Sequence, residues 1–195
     1  RSSDLYTINS KPDAPVVTGA SMCEGQIVVP ALATSRADDK WYADQNATTF
    51  IGVGSTYTPT TAEVGAGDAN GNKTYYVQRE IKGCVSDIVP VVLHVVQRPT
   101  FAIGEDITKC IYDDVETIQA ESFSPAMNEA STVNWQIQSG KVVKKYDSEE
   151  GYTFTPTADV TATGDYTISA SYKFVYENKY CMSDTMSITY SVKDR

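Results

Sequence analysis

The sequence of 195 residues lacks the features of several large functional classes. No apolar run is long enough to cross a bilayer, which excludes a membrane-spanning helix. The chain has 16 Lys and Arg against 25 Asp and Glu, a net charge of -9, and nucleic-acid binding needs the opposite balance. Leu is scarce and helical periodicity is absent, so an all-α fold is excluded as well.

What is present favours β-structure in a fragment of a longer chain. Thirteen Tyr occur among many Thr, Val and Ser, the residue types that fit a pleated, half-buried surface. The sequence begins with Arg1 rather than Met and shows no basic segment followed by an apolar stretch. We therefore expect a piece cut from inside a longer polypeptide.

The chain repeats itself with a period of 97 residues. Tyr-Thr-Pro-Thr at residues 57–60 recurs as Phe-Thr-Pro-Thr at 154–157, and Cys-x-Ser-Asp at 84–87 recurs at 181–184. Each half has the order Cys, Trp, aromatic-Thr-Pro-Thr, Cys-x-Ser-Asp, and this unit has the size of an immunoglobulin-type sandwich. The repeat predicts an all-β protein with two tandem immunoglobulin-like antiparallel β-sandwiches. They would span residues 13–97 and 98–195, after a tail or the end of a preceding domain at 1–12.

Alternating residues predict the last hairpin of each domain. Apolar and polar side chains alternate with period two over residues 166–176 and again over 186–192. The first half shows the same pair of strands at residues 75–81 and 89–96. The domain boundary is expected within residues 96–100, where a strand-like run ends and Pro99 restricts φ.

Four cysteines occur as two symmetric pairs, none as Cys-x-x-Cys, which favours disulfides over a zinc site. The repeat selects the pairs Cys23–Cys84 and Cys110–Cys181, one disulfide in each domain. Four buried reduced thiols are the alternative. Because a Lys stands where the antibody-type tyrosine would precede the second cysteine, each bridge is expected near one end of its sandwich. Disulfides imply an oxidising compartment and therefore export.

Groups that could carry chemistry each have a plain structural alternative. His94 could belong to a catalytic triad, but its strand-like alternation favours an incidental strand residue. The adjacent carboxylates at residues 105–106, 113–114 and 149–150 could serve a glycosidase, but they are more typical of solvated turns. Asp68, Asn70 and Asn72 have calcium-loop spacing, but Lys73 and Arg79 stand at the sixth and twelfth positions, which favours a turn. We expect no catalytic residue, no metal and no cofactor.

The aromatic residues also allow two interpretations. Trp41 and Trp135 stand where an immunoglobulin-like sandwich keeps a buried core Trp, so both are predicted to be core residues. Tyr172, Phe174 and Tyr176 form a row that could stack on sugar rings, and they are the candidate ligand contacts. The same row would also fit an inward-facing strand.

A family resemblance rests on a series of motifs in the first half. They are Pro-Val-Val-Thr-Gly at 15–19, Cys-Glu-Gly at 23–25, Trp-Tyr at 41–42, Tyr-Thr-Pro-Thr at 57–60, Thr-Tyr-Tyr-Val at 74–77 and Gly-Cys-Val-Ser at 83–86. This order resembles the Ig-like repeats of large secreted surface and adhesin proteins of Bacteroidetes, found near gliding-motility-associated C-terminal modules. The second half matches in part, because Cys110 lacks the following Gly and Trp135 the following Tyr. The resemblance implies type IX secretion and a place in a multi-domain adhesin, but no particular ligand.

The sequence therefore predicts a non-catalytic structural or adhesion segment of a larger exported bacterial cell-surface protein. It would act as a spacer or interaction module outside the outer membrane, or in the secreted fraction. Its partners would be other domains of the same polypeptide and a cell-surface protein or glycan, with no nucleic acid and no membrane insertion. The alternatives are a carbohydrate- or protein-binding module with its ligand site in the loops, and an accessory domain of a secreted hydrolase.

Overall fold

The structure is a computed structural model that describes residues 8–65, 67–147 and 152–194. Within these residues the fold is all-β, as predicted, with a single helix of four residues. The chain forms two compact units that divide between Gln97 and Arg98. None of the described helical residues forms a helix long and apolar enough to span a membrane.

The described part of unit 1 contains ten short strands and the helix α1. In chain order they are β1 (Val17–Thr18), β2 (Ala20–Cys23), β3 (Leu32–Thr34), β4 (Lys40–Tyr42), β5 (Phe50–Val53), β6 (Thr56–Tyr57), α1 (Thr61–Val64), β7 (Asn72–Gln78), β8 (Glu80–Ile81), β9 (Cys84–Val85) and β10 (Val89–Val96).

Unit 1 is a sandwich of two sheets. A three-stranded sheet has the order β1-β3-β6, a five-stranded sheet has the order β2-β10-β7-β4-β5, and β8 and β9 form a separate hairpin. Along β10 the buried residues Val91, Leu93 and Val95 alternate with more exposed ones, as a strand with one inward face requires. The core of the unit consists of Met22, Val29, Leu32, Trp41, Val64, Tyr75, Val77, Val91, Leu93 and Val95.

The chain changes sheets at Gly19. Before it, β1 pairs with β3 in the smaller sheet, and after it β2 runs parallel to β10 in the larger one. A Cβ atom at this position would overlap the carbonyl oxygen of Val92, so only glycine allows so close an approach. The parallel pairing continues to the last residue of both strands, where Cys23 lies opposite Val96.

The described part of unit 2 also contains ten strands. They are β11 (Thr100–Ala102), β12 (Ile107–Cys110), β13 (Ile118–Gln119), β14 (Glu121–Ser124), β15 (Thr132–Ser139), β16 (Val142–Asp147), β17 (Thr153–Phe154), β18 (Gly164–Tyr176), β19 (Lys179–Met182) and β20 (Met186–Lys193).

Unit 2 repeats the plan of unit 1 with longer strands. Its large sheet has the order β12-β20-β18-β15-β16, with β19 paired to β18, and two-stranded ladders β11-β14 and β13-β17 make up the other layer. As in unit 1, a short early strand runs parallel to the last one, and Cys110 lies opposite Lys193. The core consists of Phe101, Ile103, Ile118, Ala120, Val133, Trp135, Ile137, Tyr166, Ile168, Ala170, Tyr172, Ile188, Tyr190 and Val192.

The repeated aromatic-Thr-Pro-Thr motif places a ring against the core Trp of each unit. The rings of Tyr57 and Trp41 are stacked with centroids 5.7 Å apart, and those of Phe154 and Trp135 are stacked at 5.5 Å. Such pairs add roughly 0.5–1.5 kcal/mol to the energy of burial. The motif recurs because both cores need this ring.

The repeated Cys-x-Ser-Asp motif anchors the last hairpin through its serine. The Ser86 hydroxyl accepts the backbone N–H of Arg79 at 2.9 Å, and the Ser183 hydroxyl accepts the backbone N–H of Tyr172 at 2.8 Å. Arg79 and Tyr172 therefore hold equivalent positions in the two units, a relation that the spacing of the cysteines alone does not give.

Candidate functional site

The two cysteines of unit 1 lie at opposite ends of the large sheet. Cys23 is opposite Val96, the last residue of β10, whereas Cys84 is opposite Ile81 in the hairpin that precedes β10. Because β10 has eight residues, its ends are about 24 Å apart at the usual rise per residue. A disulfide needs Cα atoms within about 7 Å of each other. A bridge inside unit 1 is therefore impossible.

Unit 2 places its cysteines in the same way. Cys110 is opposite Lys193 at the end of β20, and Cys181 is opposite Phe174 in the hairpin that leads into β20. The strand between the two ends again has eight residues, which separates them by about 24 Å. The two cysteines of this domain cannot reach each other either.

The predicted pairs Cys23–Cys84 and Cys110–Cys181 are therefore wrong. Cys84 and Cys110 carry free thiols, while Cys23 and Cys181 are disulfide-bonded. Each predicted pair contains one free thiol, so neither predicted bridge forms. The error is physical: the repeat identifies which cysteines are equivalent, but equivalent positions in two copies say nothing about which side chains face each other in one copy.

Both tryptophans lie in the cores. Trp41 is 0% exposed and Trp135 is 2% exposed. The indole Nε1 of Trp41 donates to the carbonyl oxygen of Gly54 at 2.9 Å, whereas Nε1 of Trp135 is buried without a hydrogen-bond acceptor among the described residues. Neither ring is available to a ligand at the surface.

The aromatic row of β18 does not form an exposed platform. Tyr172 is 0% exposed, and its hydroxyl donates to the carbonyl oxygen of Pro125 at 3.1 Å. Phe174 packs against the same core, and its ring stacks with that of Tyr176, with centroids 6.4 Å apart. Tyr172 is thus a core residue and not a ligand contact, while Phe174 and Tyr176 are partly buried beside it.

Unit 1 contains a buried ion pair that was not predicted from the sequence. The Arg79 guanidinium donates to both carboxylate oxygens of Asp39, at 2.8 and 2.9 Å, and Asp39 is 0% exposed. The Thr34 hydroxyl donates a third bond to this carboxylate at 2.6 Å, and Arg79 also donates to the Ser35 hydroxyl at 2.9 Å. The only signal in the sequence was an Arg directly after a half-buried strand.

Unit 2 replaces this ion pair with two uncharged side chains. Asp39 precedes the core Trp of unit 1 by two residues, as Val133 precedes Trp135 in unit 2. Val133 pairs with Tyr172, the equivalent of Arg79, and both are 0% exposed. The same site of the fold thus accepts either a bidentate ion pair or an apolar contact.

Unit 2 contains a tyrosine corner that the sequence analysis missed. The Tyr166 hydroxyl, at the start of β18, donates to the carbonyl oxygen of Ala162 at 2.9 Å and accepts its N–H at 3.3 Å. A Tyr at this corner that bonds to the backbone a few residues upstream is a feature of immunoglobulin-like sandwiches. In antibody domains this Tyr lies two residues before the second cysteine, whereas Tyr166 lies fifteen residues before Cys181.

His94 and the Asp68 loop have structural partners. The Nδ1 atom of His94 lies 3.1 Å from the side-chain oxygen of Asn72 on the neighbouring strand. The Asp68 carboxylate accepts the backbone N–H groups of Asn72 and Asn70 at 2.9 and 2.8 Å, and these bonds lower its pKa. The loop is thus closed as a turn by its own carboxylate.

One carboxylate of each of the pairs at residues 105–106 and 113–114 binds a backbone group. Asp106 accepts the N–H of Thr189 at 2.7 Å, and Asp113 accepts the N–H of Cys110 at 3.0 Å. The pair at residues 149–150 lies outside the described residues. In the part of the chain that the structure describes, no three His, Cys, Asp or Glu side chains are grouped to hold a metal ion.

A polar groove lies on the large sheet of unit 2. It has a volume of about 420 Å³ and lies beside the strands β15, β16 and β18. Its lining includes Asn134, Gln136, Lys145, Ser169, Ser171 and Thr185. Amide, hydroxyl and ammonium groups of this kind can bind a polar ligand through hydrogen bonds.

Comparison with known families identifies the type of domain. Residues 12–96, which cover nearly all of unit 1, match the family model described as an Ig-like domain associated with CHU_C. Unit 2 has the same sheet plan and the same repeated motifs. The protein is a tandem of two immunoglobulin-like domains. Ig-like domain families are generally non-catalytic structural or interaction modules.

The comparison with solved structures gives matches of low sequence identity. The crystal structure of DIP-gamma IG1+IG2 is 12% identical with a TM-score of 0.40, and the match covers 94% of this chain and 99% of that one. Sidekick-1 immunoglobulin domains 1–4 are 15% identical with a TM-score of 0.38, over 93% of this chain and 49% of that one. A tri-modular GH5 endo-beta-1,4-glucanase from Bacillus licheniformis is 8% identical with a TM-score of 0.31, over 92% and 38%. No curated protein matches the chain.

Proposed function

We propose that the protein is a non-catalytic structural or adhesion segment of a larger exported bacterial cell-surface protein, in which it acts as a spacer or interaction module. The observation that carries this proposal is that several aromatic and ionic side chains are buried inside the two domains. Trp41, Trp135 and Tyr172 fill the two cores, and the Asp39–Arg79 pair is buried inside unit 1. The groups that could have built a ligand site stabilise the sandwiches instead.

The extracellular location is supported by the chemistry of the cysteines. Cys23 and Cys181 are disulfide-bonded, and disulfides persist in oxidising compartments outside the cytoplasm. The resemblance of the first half to Bacteroidetes surface repeats, together with the match of residues 12–96, supports type IX secretion as the export route. Other domains of the same polypeptide are then the principal partners.

Surface labelling tests the location. Intact cells of the producing bacterium are incubated with an antibody against this chain, before and after treatment with a protease that does not enter cells. We expect labelling that the protease abolishes, while a periplasmic control protein stays intact. Labelling only after the cells are permeabilised would contradict a surface location.

A carbohydrate- or protein-binding module is the second candidate, and the polar groove of unit 2 is the observation that favours it. Electrophoresis of the purified chain through gels that contain soluble polysaccharides tests glycan binding. If the groove binds a glycan, the chain is retarded, and Gln136→Ala or Lys145→Ala restores its mobility. Lys141→Ala is the matched control, because Lys141 is exposed outside the groove. Unretarded migration in every gel supports the spacer.

A further inference from the structure

The four cysteines fall into two kinds by their place in the domain. The strand-end cysteines, Cys23 and Cys110, close the parallel pairing with the last strand. The hairpin cysteines, Cys84 and Cys181, lie in the hairpin at the other end of that strand. Of each kind, one is disulfide-bonded and the other carries a free thiol. Both positions of the fold are therefore competent to form a disulfide.

Neither free thiol can form a disulfide with the other cysteine of its own domain. The second cysteine of each domain lies at the far end of an eight-residue strand, about 24 Å away. Among the described residues, the Cys84 thiol makes a long contact of 3.7 Å with the carbonyl oxygen of Asn9. Cys110 and Cys84 are both half-buried, so their sulfur atoms are not sealed in a core. Any disulfide partner must come from elsewhere.

Exposed apolar residues occur close in sequence or strand register to both free cysteines. Ile81 pairs with Cys84 across the hairpin and is 37% exposed, and the next residue, Val85, is 48% exposed. Tyr112, two residues after Cys110, is 83% exposed. Exposed apolar side chains near these cysteines are surface that a packed contact with another protein would bury.

We propose that Cys84 and Cys110 are cross-linking sites that form disulfides with the complementary cysteine of another copy of this domain. Cys84, a hairpin cysteine, takes a strand-end cysteine, and Cys110, a strand-end cysteine, takes a hairpin cysteine. The pairing of unlike kinds is inferred because Cys23 and Cys181, the two disulfide-bonded cysteines, are one of each kind. Successive domains of this type are then joined covalently end to end.

The reaction is an ordinary thiol–disulfide exchange. For each bond, two thiols lose two protons and two electrons, and a low-molecular-weight disulfide such as oxidised glutathione accepts them and becomes two thiols. In the cell the inference rests on the proposed export to an oxidising compartment. The test below uses purified protein, so its failure leaves the surface-labelling result unaffected.

Two single variants test the pairing of unlike kinds. The intact 195-residue chain, Cys84→Ser and Cys110→Ser are each incubated in a glutathione redox buffer and run on non-reducing gels. The unmodified chain is expected to form a ladder of disulfide-linked species, because each copy has one thiol of each kind. Either variant alone should stay monomeric, and a mixture of the two should give a dimer and nothing larger.

Isotope labelling identifies the bond. When ¹⁵N-labelled and unlabelled chains are mixed before oxidation, the proposal requires peptides in which Cys84 of one isotope is joined to Cys110 of the other. If one variant alone formed as much dimer as the mixture of the two variants, the pairing of unlike kinds would be overturned. A Cys84–Cys110 bond confined to single chains, or no cross-linking at all, would overturn the proposal.

The double variant Cys84→Ser/Cys110→Ser is the control for disulfide scrambling. It is expected to remain monomeric, with Cys23 and Cys181 resistant to alkylation until a reductant is added. A ladder formed by this variant would assign the cross-links to Cys23 and Cys181 and would also contradict the proposal.

Discussion

The buried ion pair of unit 1 allows a stringent test because unit 2 shows which residues can replace it. Asp39→Val removes the carboxylate and leaves the Arg79 guanidinium with the Ser35 hydroxyl at 2.9 Å and the Asp13 carbonyl at 3.4 Å as its acceptors. Removing one partner of a buried ion pair leaves the other charge buried without a counter-charge, which typically lowers the unfolding free energy by about 3–5 kcal/mol. We expect a loss in this range.

The double variant Asp39→Val/Arg79→Tyr copies the pair Val133 and Tyr172 of unit 2. Replacing both charges with uncharged groups of suitable shape is often close to neutral, because the cost of burying two ions is removed together with their attraction. The double variant should therefore be more stable than the Asp39→Val variant. We expect a coupling energy between the two sites of about 2–3 kcal/mol, at the upper end for residues in contact.

The assay is urea unfolding followed by the fluorescence of Trp41, in a Trp135→Phe background that silences the other unit. Trp41 is buried two residues after Asp39, so its emission reports the unfolding of unit 1. Glu80→Gln is the control, because it breaks the exposed ion pair with Lys40 and should change the unfolding free energy far less than Asp39→Val does. A loss below about 1 kcal/mol for Asp39→Val, or single effects that simply add, would refute the reasoning.

Three further predictions concern single polar groups. Tyr166→Phe should lower the unfolding free energy of unit 2 by about 1 kcal/mol in urea titrations, because the bonds to Ala162 are lost. Tyr75→Phe should leave unit 1 unchanged or stabilise it by up to about 1 kcal/mol, because this buried hydroxyl has no hydrogen-bond partner among the described residues; a clear loss would contradict this. Burial opposes ionisation of Asp44, but the backbone N–H groups that it accepts, among them that of Thr49, lower its pKa to about 2. Its contribution to stability should be complete above the unfolded pKa of about 3.9 and lost as the pH falls through about 2, and an NMR titration that gives a pKa near 4 would refute this.

The all-β architecture could be predicted because its signals are local and repeated. Period-two alternation over residues 166–176 corresponds to all but the first two residues of β18, and the alternation over 89–96 corresponds to β10. The repeated aromatic-Thr-Pro-Thr motif marked the ring that stacks on each core Trp. Each of these patterns depends on neighbours in sequence or on one face of one strand, so composition and spacing were sufficient to find it.

The buried ion pair could not be predicted, because it depends on which strands are neighbours. Asp39 and Arg79 are forty residues apart, and they meet only because β4 pairs with β7. The repeat gave no indication of an ion pair, because its second copy has the uncharged residues Val133 and Tyr172 at the same site. Comparing the two copies shows that shape is shared at this site while charge is not.

The cysteine pairing failed for a related reason, and the structure shows which signal would have corrected it. Gly19 lets the chain leave the smaller sheet, so that β2 runs parallel to the last strand and not antiparallel to it. A strand that runs parallel to β10 must bring its final residue, Cys23, to the end of β10, whereas a hairpin that leads into β10 keeps Cys84 at the start. The direction of one four-residue strand therefore decides that no bridge can close within unit 1.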